Sequence, residues 1–94
     1  MNVRLLTVSF HLSGCHSLKE KRQRLKGMRE RFGRASNVAV CESGYQDSRH
    51  RAQWCFVATA SSGEVVERAL GEILRSIETS VDAELVDTHQ EILI

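Results

Sequence analysis

The chain has 94 residues, 41% of them hydrophobic and 27% charged, with a net charge of +1 at neutral pH. That length supports one core and is too short for two, so residues 1–94 are read as a single domain. No apolar run reaches the length of a bilayer span and no charged-then-apolar leader opens the chain, which points to a cytoplasmic protein without a membrane partner.

The near-neutral balance conceals an asymmetry. Residues 1–51 hold eleven Lys and Arg against four Asp and Glu, whereas residues 52–94 hold two against eight. Such polarity fits an anionic partner for the first half, self-association of unlike surfaces, or mutual neutralisation within the fold. The three cysteines, Cys15, Cys41 and Cys55, are odd in number and lack CxxC spacing. That argues against a disulfide framework and against a closed zinc site.

The first element alternates: Leu6, Val8, Phe10 and Leu12 face one way, Thr7, Ser9 and His11 the other. This is a period-2 strand with one buried side. Gly14 breaks it, and Ser17 with Glu20 forms a capping-box pattern. A helix is expected from about Leu18 to Phe32, stopped by Gly33 as a left-handed terminator. A short apolar strand follows over Asn37–Glu42, then a loop over Ser43–Asp47. His50–Ala60 reads as a third strand, with Trp54, Phe56 and Ala58 on one face and Cys55, Val57 and Thr59 on the other. Ser61 and Glu64 repeat the capping spacing ahead of a second helix reaching about Thr79, striped by Val66, Ala69, Leu70, Ile73 and Ile77. A weakly alternating strand over Ala83–Leu93 ends the series. The order β-α-β-β-α-β predicts an α+β fold: the ferredoxin-like βαββαβ sandwich, a four-stranded antiparallel sheet with two helices on one face.

The other sheet face is left open. Placing the bulky Trp54 and Phe56 under two close-packed helices would push the layers apart, so both are expected on that open face beside His11. There they would meet a second copy of the chain or an RNA base.

The first helix, with the turn that follows it, concentrates eight of the thirteen basic residues. At about 100° per residue, Leu18, Leu25, Met28 and Phe32 share one sector. Lys19, Arg24, Lys26 and Arg31 point away from it, and Arg22 and Arg29 flank it. Only Glu20 and Glu30 oppose these charges, which favours an anion-binding face, with the phosphate backbone as the obvious ligand class. Lys21 falls inside the apolar sector. Its stem is expected to snorkel past the core, with pairing to Glu42 or Asp47 as the alternative. On that expectation Lys21→Met costs no more than about 0.5 kcal/mol.

Other groups carry less. Cys15-His16 precedes the helix start, but adjacent residues rarely meet at one reacting atom and no orienting group accompanies them. His11, His16, His50 and His89 show no metal-ligand spacing. The Gly14–Ser17 turn, Ser17 included, stands where acylphosphatases of the same fold hold a phosphate, yet it lacks their Gly-rich, Arg-containing pattern. Trp54-Cys55-Phe56-Val57 faintly resembles the stacking strand of RNA-recognition motifs without its basic and glycine positions. No catalytic set is complete, so no enzyme and no cofactor is expected.

The strand end His11-Leu12, the run His16-Ser17-Leu18-Lys19-Glu20-Lys21-Arg22, Asn37-Val38, Glu42 and the Gln46-Asp47 loop resemble the YlxP-like family of small bacterial proteins of unknown function. Members often carry a tryptophan soon after the loop aspartate, whereas here Ser48-Arg49-His50 follow Asp47 and Trp54 comes later, and Cys15 stands where another small residue is expected. The resemblance implies a ferredoxin-like fold and a gene neighbourhood of translation-initiation and ribosome-maturation factors. The functional expectation is therefore a non-enzymatic protein associated with ribosomal RNA or the ribosome through Lys19, Arg22, Arg24, Lys26, Arg29 and Arg31. A homodimeric interaction module using the open sheet face is the alternative. A small phosphate-handling enzyme at the Gly14–Ser17 turn stands well behind both.

Overall fold

A computed structural model describes residues 1–94 and contains the expected elements in the expected order. Strands β1 (Asn2–His11), β2 (Val38–Gly44), β3 (Arg51–Ala60) and β4 (Glu84–Ile92) form one antiparallel sheet in the order β2-β3-β1-β4. Helices α1 (Leu18–Leu25) and α2 (Gly27–Phe32) link β1 to β2, and α3 (Gly63–Ser80) links β3 to β4. Each link passes one intervening strand, which is the split βαβ arrangement of the ferredoxin-like sandwich.

The expected single first helix is interrupted at Lys26, just before Gly27, a weak helix former. Its start is fixed by the Ser17 hydroxyl, which accepts the Glu20 amide at 3.0 Å. Its end differs from expectation, because Gly33 has φ −78° and is right-handed. A Cβ at Gly33 would lie 2.6 Å from the Arg29 carbonyl oxygen, so close backbone approach is what asks for glycine there. The cap of α3 is Ser62 rather than Ser61, its hydroxyl accepting the Val65 amide at 3.3 Å. The stripe Val66, Leu70, Ile73 and Ile77 is buried, with Ala69 at its margin.

The core joins the helices to alternate residues of β1 and β3. Leu6 pairs with Phe56, Val8 with Trp54 and Phe10 with Ala52. Opposed residues of antiparallel strands share a face, so the buried side of β1 dictates the buried side of β3. This corrects the expectation for Trp54 and Phe56, which lie beneath the helices and not on the open face. Phe56 is fully buried and the Phe32 ring meets it edge-on at 5.5 Å. Trp54 is 6% exposed and lies under the Arg29 guanidinium, 5.7 Å from the ring centroid. The bulky rings fit under the helices because Ala52 and Ala58 flank them on the same strand face. Small and large residues then fill the layer together. His11 does lie on the open face, where it is exposed.

Lys21 is the second correction. It is 3% exposed, and its ammonium donates to the Tyr45 carbonyl at 2.7 Å and the Ser48 carbonyl at 2.9 Å. It neither snorkels nor pairs with Glu42 or Asp47. The loop after β2 supplies backbone acceptors that sequence spacing does not reveal. Tyr45 sits at φ +57°, a left-handed conformation that costs a non-glycine residue roughly 1–2 kcal/mol. The same Tyr45 carbonyl accepts the Ser48 amide at 3.0 Å, and Arg51 lies 5.5 Å from the tyrosine ring centroid. These contacts hold the strained turn against α1.

Two stability measurements check this arrangement. Phe56→Ala should cost about 3–5 kcal/mol in urea unfolding, the cost of a large buried aromatic. A near-neutral change would return Phe56 to the open face. Lys21→Met should cost about 1–3 kcal/mol, since two charge-assisted hydrogen bonds are lost and the loop is released. A loss below about 0.5 kcal/mol would show that the turn holds its shape without the ammonium.

Candidate nucleic-acid interface

The basic segment is positioned by three local devices. Gly14, at φ +66°, turns the chain out of β1. Ser17 caps α1, and the Lys21 ammonium ties α1 to the loop before β3. Because its hydroxyl is occupied by the cap, Ser17 serves the helix start. Cys15 is buried in the core, with its thiol 3.4 Å from the Ser17 carbonyl, while His16 is exposed. The two side chains do not meet at a common reacting point.

The six expected contact residues divide in two. Arg24 is turned inward: its guanidinium donates to the Asp82 and Ser13 carbonyls, both at 2.9 Å, and lies 3.3 Å from the Asp82 carboxylate. Glu20 approaches it at 3.7 Å, and only 16% of the Arg24 side chain is exposed. Arg31 donates to the Ser80 hydroxyl at the end of α3. These two arginines fasten the first helical segment to the C-terminal end of α3. Lys19, Arg22, Lys26 and Arg29 are exposed, and none makes an ion pair or a side-chain hydrogen bond.

Two further cations join this surface. Arg34 is exposed in the turn after α2. Arg49, in the loop held by Lys21, donates to the His16 carbonyl at 3.2 Å and so lies beside the start of α1. Arg49 is 33 residues from His16 in sequence, a separation that helical spacing cannot bridge.

A cavity of about 280 Å³ opens between α1, α2 and the sheet. Lys21, Arg22, Lys26 and Arg29 supply four cations to its wall, Glu42 one carboxylate, and Leu25 and Trp54 apolar surface. The larger groove of about 430 Å³ lies between α2 and α3 and has a different character. Its wall is mainly apolar, with Phe32, Val65 and Ile73, and Arg31 and Arg68 share it with Glu72.

The open sheet face has modest character. Val3, Leu5 and Thr7 of β1 lie beside Thr59, Val57 and Cys55 of β3, and Cys41 of β2 stands opposite Cys55. The Cys55 thiol bonds to the Ser43 hydroxyl at 3.0 Å.

Comparison with solved structures shows the fold. A structural-genomics protein, YJCS, superposes with a TM-score of 0.60 at 10% identity, covering 95% of this chain and 96% of that one. A dimeric ferredoxin-like protein from an uncultured marine organism gives 0.54 at 5% identity, covering 100% and 97%. In sequence, the uncharacterized protein YlxP of Bacillus subtilis (strain 168) is 36% identical over 75 residues, spanning 80% of this chain and 82% of that relative. The model of DUF503, a family described as proteins of unknown function, matches residues 3–90, and the chain belongs to that family.

Proposed function

We propose that this protein binds RNA in the cytoplasm, without catalysing a reaction, through the exposed basic face of α1 and α2. The ribosome is the proposed setting. The observation that carries this reading is the set Lys19, Arg22, Lys26 and Arg29, four exposed cations on one segment with no intramolecular ion pair or side-chain hydrogen bond. Unpaired surface cations at helical spacing gain affinity by releasing counterions from a phosphate backbone. Arg24 and Arg31 leave the contact set because the fold itself uses them. Arg49 and Arg34 extend the surface at its two ends. The translation-related gene neighbourhood implied by the family resemblance supports ribosomal RNA over other polyanions.

A second reading is a homodimer formed through the open sheet face. Val3, Leu5, Ala39 and Val57 support it, since no helix covers that side of the sheet. One structural neighbour is described as dimeric, but at 5% identity that likeness supports the fold alone.

Salt dependence tests the first reading. Four phosphate contacts on single-stranded RNA should give a slope of log affinity against log salt of about −2.8. Lys19→Ala, Arg22→Ala and Lys26→Ala combined should flatten it to about −0.7 without moving the melting temperature. Arg24→Ala should do the reverse, costing about 1 kcal/mol of stability while sparing the slope. A shallow slope in the wild type, or a triple variant that unfolds, would assign these cations to packing. Analytical ultracentrifugation checks the second reading, which requires a dimer at micromolar concentration.

A further inference from the structure

We infer that the cavity between α1, α2 and the sheet is a binding site for a single phosphate group. This deepens the RNA reading and rests on it only for the source of the phosphate.

The donors in this cavity outnumber its acceptors. Lys21, Arg22, Lys26 and Arg29 face one carboxylate, Glu42, and none of the four forms an ion pair with it. The Trp54 indole Nε1–H is buried and has no acceptor, one of two such side-chain nitrogens in the molecule. A buried donor without a partner costs roughly 1–3 kcal/mol, so its presence asks for an explanation. The Lys21 ammonium has three protons and gives two to the loop carbonyls, leaving one. An oxyanion supplies the acceptors that all these groups lack.

A cavity of about 280 Å³ admits a phosphate, and the chemistry of its wall selects one. Guanidinium groups match a tetrahedral oxyanion in two-pronged fashion, and Arg22 and Arg29 are both exposed and unpaired. Arg29 lies over the indole, 5.7 Å from its centroid, so one guanidinium stands beside the unpartnered indole N–H. Glu42 sets the opposite bias: its carboxylate repels a dianion, keeping the site weak for free phosphate. The apolar groove between α2 and α3 has no comparable surplus of donors, because Glu72 there faces Arg31 and Arg68.

The same chemistry has two sources, an RNA backbone phosphodiester and the phosphomonoester of a small molecule. Calorimetric titration with inorganic phosphate tests the site itself, and Trp54, the only tryptophan, reports locally by fluorescence. Saturable binding with a change in Trp54 emission is expected. Trp54→Phe and Arg29→Gln should each weaken binding about tenfold by calorimetry, and Glu42→Gln should strengthen it several-fold. Arg29 is exposed, so its variant decides the matter should Trp54→Phe weaken the fold. Phosphate binding that is unsaturable, or equal in wild type and Arg29→Gln, overturns the inference. Competition by an RNA oligomer with hydroxyl ends assigns the site to backbone phosphate; competition by a mononucleotide alone assigns it to a phosphomonoester. RNA binding that survives Arg29→Gln and Trp54→Phe but fails in Lys19→Ala leaves the RNA reading standing and excludes backbone phosphate as the ligand of this cavity. Saturable phosphate binding without RNA binding removes the RNA reading and leaves this one standing.

Discussion

The ten-residue pairing of β1 with β3 is the constraint on which the rest of the molecule depends. It runs unbroken from Asn2 opposite Ala60 to His11 opposite Arg51, and both strands are central. A shift by one residue would turn every side chain of one strand to the other face. With Leu6, Val8 and Phe10 committed to the helix side, Trp54 and Phe56 have no alternative. Phe56 then receives the Phe32 ring, which fixes how α2 lies on the sheet, and Trp54 comes to lie under the exposed Arg29. The cavity beside Trp54 is therefore a consequence of register before it is a property of the basic helix.

Lys21 converts that placement into a surface. A buried ammonium is costly by itself, because desolvation opposes the charged form. Here two backbone carbonyls receive it, and the loop that supplies them carries the strained Tyr45. The two hydrogen bonds offset both the desolvation of the ammonium and the strain at Tyr45. The functional result is that Arg49 lies next to the start of α1 instead of swinging free. The lysine thus contributes to the basic face without being exposed on it.

The elements and their order were legible because period-2 and helical patterns are local properties of the chain. Leu6, Val8, Phe10 and Leu12 announce the buried side of β1, and Ser17 announces the start of α1. The buried face of β3 is not legible in the same way, because alternation gives two faces without saying which one is buried. That choice belongs to cross-strand pairing, and the relevant partner lies 48 residues away for Thr7 and Cys55. The acceptors of Lys21 are hidden for a related reason. A carboxylate can be sought in a sequence, but every residue carries a carbonyl, so a backbone acceptor leaves no trace there. Arg24 reads as a surface charge because its hydrogen-bond partners, Ser13 and the distant Asp82, are not at helical spacing.

The two oppositely charged halves of the sequence do not simply cancel in the fold. Only Arg24 with Asp82 and Arg4 with Glu67 pair across them as arginine–carboxylate contacts. Glu84, Asp87 and Glu91 instead line β4, an edge strand, where charge discourages pairing with another chain. Three strand spacings of about 4.8 Å separate β4 from β2, the edge over which α2 packs. That distance exceeds the Debye length of about 8 Å at physiological salt, so these carboxylates barely damp the field around Lys26 and Arg29. The β4 carboxylates protect one edge of the sheet while Lys26 and Arg29 stay available toward the other. A chain with almost no net charge thereby keeps a locally positive surface, and it is this separation, more than the number of cations, that makes an anionic partner physically reasonable.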